Sequence, residues 1–307
     1  MNIKINRDAL LKPLANVASI VERKHALPIL SNILIQGKDG QVQLTATDLE
    51  MQVSLSFKAD LKEEIATTIS ARKFFDITRK TTIHEWHVSN NAEFENVGQW
   101  KRPWYYPKNN EDMHQAVQRE SLAARESAGI LDASTLGKID IQGTDASEFL
   151  NRVYTNSWSK LSIGKCRYGL MLNEDGMVYD DGVTTRIGEN HYIMTTTTGG
   201  AANVLGKLED YLQTEWPELD VYLTSVTDHY STASICGPNS KKILMKLFPD
   251  VKFDDENFPH MSFQNASLDK INCRIMRISF TGEHSYEINI EAKYGKSLWE
   301  KCIEAGK

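Results

Sequence analysis

Long apolar runs and export signals are missing from this chain of 307 residues. No stretch of about eighteen consecutive apolar residues occurs, so no segment is expected to cross a membrane as a helix. The first residues contain no apolar core followed by a small-residue cleavage site, which argues against a secretory signal peptide. These absences predict a cytoplasmic protein with no membrane partner.

Cysteine is scarce, and no CxxC spacing occurs, so we expect free thiols rather than disulfides or a zinc site. A GxGxxG fingerprint for dinucleotides is also missing. His84 and His87 could be interpreted as a metal pair, but the sequence offers no third ligand nearby, and the adjacent Trp86 favours packing. The sequence therefore predicts no metal site. The four cysteines are Cys166, Cys236, Cys273 and Cys302.

The overall composition is ordinary, with 41% hydrophobic and 25% charged residues and a formal charge of −6. This excludes collagen-like, disordered and disulfide-scaffold classes. The distribution along the chain is uneven: residues 1–79 hold 11 Lys/Arg and 9 Asp/Glu (net +2), and the remainder holds 24 and 32 (net −8). All six tryptophans and all eleven tyrosines follow residue 79. Length and composition together suggest about two domains.

The first segment shows helical spacing at its start and then several apolar runs of period two, typical of a helix followed by antiparallel strands. Four blocks carry a family likeness. They are Leu-Leu-Lys-Pro-Leu at 10–14, Leu-Pro-Ile-Leu-Ser-Asn at 27–32, Leu-Thr-Ala-Thr-Asp-Leu-Glu-Met at 44–51, and Ala-Arg-Lys-Phe-Phe-Asp-Ile at 71–77. In order and spacing they are similar to the N-terminal domain of the bacterial DNA polymerase III β sliding clamp.

This resemblance implies a partial clamp domain over residues 1–78, since a complete clamp has three longer, similar domains. In that family basic side chains face DNA phosphates, a contact that does not depend on base sequence. The resemblance therefore implies Arg23 and Lys24 as DNA-binding residues, and DNA as a partner only if this segment works as a replication processivity factor. The alternative is a solvated pair of surface charges.

The second segment alternates hairpin strands with helices. Residues 168–173 and 177–183 are predicted strands flanking a turn at Glu174-Asp175-Gly176. A further strand at 192–198 precedes a helix at 201–214, and a helix at 111–127 is expected to end at Gly129. The pattern predicts an α+β fold.

Two blocks, Gly-Gln-Trp-Lys-Arg-Pro-Trp-Tyr at 98–105 and Ile-Leu-Asp-Ala-Ser-Thr-Leu-Gly-Lys at 130–138, resemble the folate-binding aminomethyltransferase family. That family is typified by the glycine cleavage T-protein, and the branch indicated is the C-terminal half of sarcosine oxidase α subunits. The resemblance implies such a domain over 80–307, lacking its C-terminal barrel. It implies tetrahydrofolate as cofactor, a methylated amine such as sarcosine as one-carbon donor, and other sarcosine oxidase subunits as possible partners.

One-carbon transfer to tetrahydrofolate needs a carboxylate near cationic intermediates and mobile protons. The resemblance places the catalytic carboxylate in Tyr-Asp-Asp-Gly at 179–182. Adjacent strand residues point to opposite faces, so only one of Asp180 and Asp181 should reach the ligand. The family pattern favours Asp181, which leaves Asp180 as a structural or turn carboxylate.

The resemblance also implies residues that bind the cofactor. Glu287 matches a pterin-binding glutamate, and a carboxylate can accept two hydrogen bonds from the pterin edge. Glu283 lies in the same motif, with a structural role as its alternative. Tyr168 matches an aromatic residue beside the ligand, with core packing as its alternative. Thr196 stands where many family members carry Asn.

Three hypotheses follow: a tetrahydrofolate-dependent aminomethyltransferase, a DNA sliding clamp fragment, or an inactive chimera of the two. No Gly/Ser/Pro-rich linker separates the two likenesses near residues 78–80, whereas natural fusions usually join whole domains through flexible segments. We interpret this junction as an abnormal join.

Overall fold

The structure, a computed structural model, describes residues 7–18, 20–21, 27–61, 63–71, 74, 79–98 and 100–307. It divides into two compact units. The first comprises Met1–Lys80 with Gly98–Lys101, and the second comprises Thr81–Val97 with Arg102–Lys307. Both combine helices with antiparallel sheet, which confirms the predicted α+β class. Among the described residues, no helix is long and apolar enough to cross a membrane.

The first unit is one helix and a small antiparallel sheet. Its elements are α1 (Arg7–Ala18), β1 (Asn32–Lys38), β2 (Gln41–Thr47), β3 (Gln52–Lys58), β4 (Ile65–Ser70) and the two-residue β5 (Arg79–Lys80). The first four strands are ordered β3-β2-β1-β4, and β5 pairs in parallel with Trp100 and Lys101. The block at 71–77 that carries part of the clamp likeness falls largely outside the described residues, as do Arg23 and Lys24.

The core of the first unit follows from its two periodicities. In β1 and β2 every second residue is buried, as expected for a sheet with one covered face. Leu10, Leu14 and Val17 recur at helical spacing in α1 and are also buried. The helix therefore supplies apolar side chains to the same core as the sheet.

The second unit contains two five-stranded sheets and six helices within the described residues. Its helices are α2 (His84–Ser89), α3 (Met113–Glu126), α4 (Ala146–Val153), α5 (Ala201–Asp210), α6 (Ser240–Leu247) and α7 (Gly295–Gly306). Its strands are β6 (Glu93–Val97), β7 (Trp100–Tyr105), β8 (Gly129–Asp132), β9 (Gly137–Gln142), β10 (Cys166–Leu172), β11 (Val178–Gly188), β12 (His191–Thr196), β13 (Tyr222–Ser225), β14 (Tyr230–Cys236), β15 (Ser262–Leu268), β16 (Ile271–Arg277) and β17 (Ser285–Glu291). The first two residues of β7 belong to the first unit.

The two large sheets are ordered β10-β11-β12-β9-β13 and β15-β16-β17-β14-β8. One core packs α4 and α5 on the first sheet, with Phe149 and Trp158 fully buried. The other packs α6 and α7 on the second sheet, around Tyr286 and Trp299. Because β8 and β9 are consecutive but lie in different sheets, the connection between them runs from one sheet to the other.

The predicted hairpin turn is present between β10 and β11. Gly176 has φ +80°, a left-handed conformation that glycine adopts without strain. The helix predicted at 111–127 is present and ends within one residue of the prediction, but the C-terminal role predicted for Gly129 is wrong. α3 begins after Asp112, whose side chain forms a capping box with Gln115, and it ends at Glu126. Gly129 instead begins β8, where it pairs with Cys236.

Candidate active site

A cavity of about 410 Å³ lies in the second unit and is lined by residues from both large sheets. This volume falls within the range of roughly 300–1,000 Å³ that is usual for small-molecule sites. Four of the predicted site residues line it, although they come from different strands and from both sheets. They are Tyr168, Asp181, Thr196 and Glu287.

The two adjacent aspartates of β11 face different surroundings. Asp181 lines the cavity, and the Tyr168 hydroxyl donates a hydrogen bond of 2.8 Å to its Oδ2. Asp180 is only 4% exposed and accepts hydrogen bonds from the backbone N–H and the hydroxyl of Thr197. The alternation of a β-strand thus leaves one carboxylate for a ligand and ties the other to the chain.

The same contacts set the ionisation of this pair. Burial raises the pKa of Asp180 above its ordinary value, while the hydrogen bonds from Thr197 oppose the rise. The hydrogen bond to Asp181 raises the pKa of the Tyr168 phenol, which keeps that phenol a proton donor. Tyr168 is 47% exposed, so core packing, its alternative role, does not describe its surroundings.

Glu287 lies on β17, between Ser234 of β14 and Met276 of β16. It is 9% exposed and lines the cavity. Burial raises the pKa of Glu287, and the positive charge of Lys138 opposes that rise. A buried carboxylate at a cavity wall is a strong acceptor for a ligand that offers paired N–H groups.

Lys138 is a residue that the sequence reasoning did not assign to the site. It is 2% exposed, and its Nζ donates to the carbonyl oxygens of Leu136 at 3.0 Å and Ser134 at 3.2 Å. Burial lowers the pKa of Lys138 to about 8, although the negative charges of Glu287 and Asp132 oppose the shift. The ammonium group therefore holds the β8–β9 connection, part of which lines the cavity, and balances the charge of Glu287.

A buried polar chain lies behind one cavity wall. Asp132, which lines the cavity, has its Oδ2 3.0 Å from His87 Nε2, and His87 Nδ1 is 2.6 Å from the Tyr106 hydroxyl. Burial would raise the pKa of Asp132, but hydrogen bonds from His87, Ser134 and Thr81 outweigh it and hold that pKa below its ordinary value. An ionised Asp132 accepts only, so His87 donates to it from Nε2.

The contacts of His87 bear on whether His84 and His87 act as a metal pair. Both ring nitrogens of His87 have protein partners, which supports the packing interpretation. The part of the chain that the structure describes contains no group of three His, Cys, Asp or Glu side chains arranged to hold a metal ion. All four cysteines are buried and free.

The remaining predicted residues differ in position. Thr196 lines the cavity, is 1% exposed, and donates to the Thr197 carbonyl at 3.3 Å. Glu283 is absent from the cavity lining and forms an ion pair of 2.6 Å with Arg125. Gly182 follows Asp181 where β11 passes close to β12, and a Cβ there would collide with the Thr195 carbonyl oxygen. This close approach explains glycine in the Asp-Asp-Gly sequence.

The electrostatic character of the cavity is predominantly acidic. Asp132, Asp181 and Glu287 contribute carboxylates to its lining, and Arg102 contributes the one basic side chain among the lining residues that the structure describes. Such a lining attracts cationic groups and N–H donors. The site can therefore bind a nitrogen-rich ligand, stabilise a developing positive charge and accept a proton.

The chain belongs to the family described as the GCVT N-terminal domain, whose model matches residues 83–307. This agrees with the aminomethyltransferase family expected from the sequence. Residues 1–102 match the model of the DNA polymerase III beta subunit, N-terminal domain, which agrees with the clamp likeness of the first segment.

The individual relatives agree with this class. The chain is 53% identical over 235 residues to sarcosine oxidase subunit alpha of Corynebacterium sp. (strain U-96), covering 76% of this chain and 24% of that protein. It is 29% identical to an aminomethyltransferase of Thermotoga neapolitana, covering 74% and 58%. The glycine cleavage system aminomethyltransferase T of Bartonella henselae shares the fold, with a TM-score of 0.61, 23% identity, and coverage of 73% and 57%.

The chain thus spans about a quarter of the length of the sarcosine oxidase subunits that it matches. The domain limits 1–78 and 80–307 stay predictions, as does the abnormal join between them. DNA binding through Arg23 and Lys24 also stays a prediction, because both residues lie outside the part of the chain that the structure describes.

Proposed function

We propose that the second unit binds tetrahydrofolate in the acidic cavity and transfers to it a one-carbon unit from a methylated amine. The observation that carries this proposal is the presence of Asp181 and Glu287 in the lining of one cavity, although they lie on strands of different sheets. The family of the chain supports the choice of ligand.

The hydrogen-bonding groups of the cavity fit a reduced folate. The pterin edge offers an amino group and a ring N–H, and Glu287 supplies a buried carboxylate that can accept both hydrogen bonds. Lys138 favours the ionised form of Glu287, since its charge opposes the effect of burial. When bound, tetrahydrofolate supplies the nucleophilic nitrogens that accept the one-carbon unit.

Asp181 has the chemical role in this proposal. Its carboxylate would stabilise the cationic amine that delivers the carbon. Its Oδ1 would take the protons that the acceptor nitrogens lose and pass them to the amine nitrogen, which leaves as the free amine when its bond to the transferred carbon breaks. Tyr168 fixes the carboxylate by donating to Oδ2, which leaves Oδ1 directed to the ligand in our assignment. Asp180, held by Thr197, supports the strand instead.

The amine substrate and the partners follow from the relatives. The Corynebacterium and Rhizobium meliloti proteins are sarcosine oxidase alpha subunits. We therefore propose sarcosine or a similar methylated amine as the source of the carbon, and other sarcosine oxidase subunits as partners that remove two electrons from the amine and deliver it to this unit as an iminium. A cytoplasmic location fits this chemistry.

A pair of variants tests the assignment of the two aspartates. Asp181→Asn should bind tetrahydrofolate within a few fold of the unsubstituted chain but transfer carbon about 100-fold more slowly, because general acid–base groups contribute roughly 10²–10⁴-fold. Asp180→Asn should keep most of its transfer rate if it remains folded. The measured quantity is the rate at which tetrahydrofolate gains a one-carbon unit from the N-methylene iminium of glycine, which is the oxidation product of sarcosine. The rate without protein is subtracted. A loss confined to Asp180→Asn would reverse the assignment.

A further inference from the structure

Arg102 differs in charge from the other ionisable side chains of the cavity. It lies on β7 and lines the cavity, and its side chain is 32% exposed. By contrast Glu287 is 9% exposed. The basic group is therefore more exposed to solvent than the carboxylate assigned to the pterin.

Glu95 holds the Arg102 guanidinium in place. Nε and Nη2 of Arg102 donate to Glu95 Oε1 at 3.0 and 2.7 Å. The Glu95 side chain is 29% exposed, so this ion pair is reached by solvent. A guanidinium carries five donors in a planar fork, and the two used here leave capacity for a second carboxylate.

The remaining charges of the lining are unfavourable to an anion. A carboxylate on a ligand is repelled by Asp132, Asp181 and Glu287, and it is attracted to Arg102. We propose that Arg102 is the subsite that recognises a carboxylate of the bound ligand. This inference rests on the proposed function and deepens it. Two ligand parts carry that chemistry: the glutamate end of tetrahydrofolate and the carboxylate of an N-methylated amino acid.

The test uses the full chain with three variants. Arg102→Gln removes the charge and should weaken a carboxylate-bearing ligand about tenfold, as expected for loss of a charge-assisted contact. Glu95→Gln removes the competing carboxylate and should strengthen the same ligand severalfold. Arg125→Gln, which breaks a similar ion pair outside the cavity lining, is the matched control and should change neither. Thermal unfolding of each variant confirms that it is folded.

Two arms identify the source of the carboxylate. In the first, dissociation constants are compared for tetrahydrofolate and for the amide of tetrahydropteroate, in which a neutral amide replaces the glutamate and no carboxylate remains. In the second, KM in the transfer reaction is compared for iminium donors derived from sarcosine and from dimethylamine, which lacks the carboxylate. If Arg102→Gln weakens the carboxylate-bearing member of one pair about tenfold and leaves the other member unchanged, the proposal is supported. That pair then identifies the source of the carboxylate.

The results that would contradict the Arg102 subsite differ from those that would contradict the proposed function. If Arg102→Gln alters both members of each pair equally, or neither member of either pair, the subsite is disproved while tetrahydrofolate binding by the unsubstituted chain still upholds the proposed function. If the unsubstituted chain binds no tetrahydrofolate, the proposed function fails and the inference fails with it.

Discussion

Replacing Glu287 with Gln changes one atom of the side chain and should weaken tetrahydrofolate binding by about 100-fold. The carboxylate can accept from both pterin donors, whereas the Gln amide accepts at one position and presents its own N–H group at the other. A hydrogen bond to a charged group contributes roughly 1.5–3 kcal/mol, and each 1.4 kcal/mol corresponds to tenfold in affinity. Since Glu287 is 9% exposed, water cannot easily take the place of the lost acceptor.

Glu283 provides the matched control for this prediction. It lies four residues earlier in the same motif, but its partner is Arg125 and it is not part of the cavity lining. Glu283→Gln should therefore bind tetrahydrofolate within about twofold of the unsubstituted chain, since exposed ion pairs contribute roughly 0–1 kcal/mol. Isothermal titration of both variants gives the comparison. Near-equal affinities for the Glu287 variant and the unsubstituted chain would show that Glu287 does not bind the pterin edge.

Three further predictions concern residues around the site. Lys138→Met removes the charge that opposes the raised pKa of Glu287, so the pH above which tetrahydrofolate binds tightly should move upward; an unchanged pH profile of the dissociation constant contradicts this. Gly182→Ala forces a Cβ against a carbonyl of β12 and should lower the free energy of unfolding by about 1–3 kcal/mol in urea titrations, and full stability would show that the strands can separate. His87→Ala leaves buried Asp132 without one of its donors and should cost about 1–3 kcal/mol by the same assay, whereas a stabilised variant contradicts the assigned hydrogen bonds.

The strand and turn around the two aspartates could be predicted from local sequence. Alternation places Asp180 and Asp181 on opposite faces, and Glu-Asp-Gly supplies the left-handed turn residue that the hairpin needs. These features depend on neighbours within a few residues. The family likeness added Glu287, which no periodicity could have brought to the same cavity, since it lies in the other sheet.

The rest of the site depends on contacts between distant parts of the chain. Lys138 is a charged residue near the start of the apolar strand β9, which is a sequence signal of a special role. Its charge interaction with Glu287, however, depends on both sheets being in place. The partners Asp132 and His87 come from β8 and α2, which are far apart in sequence. The wrong role predicted for Gly129 has a similar cause, because this residue pairs with β14 rather than capping α3.

We propose above that the acidic cavity of the second unit is a tetrahydrofolate site. Equilibrium titration of tetrahydrofolate into the purified full chain tests it most directly, with Glu287→Gln titrated in parallel. We expect saturable binding at one site per chain, weakened about 100-fold in the variant. Absence of binding at millimolar tetrahydrofolate, or equal binding by the chain and the variant, would contradict it.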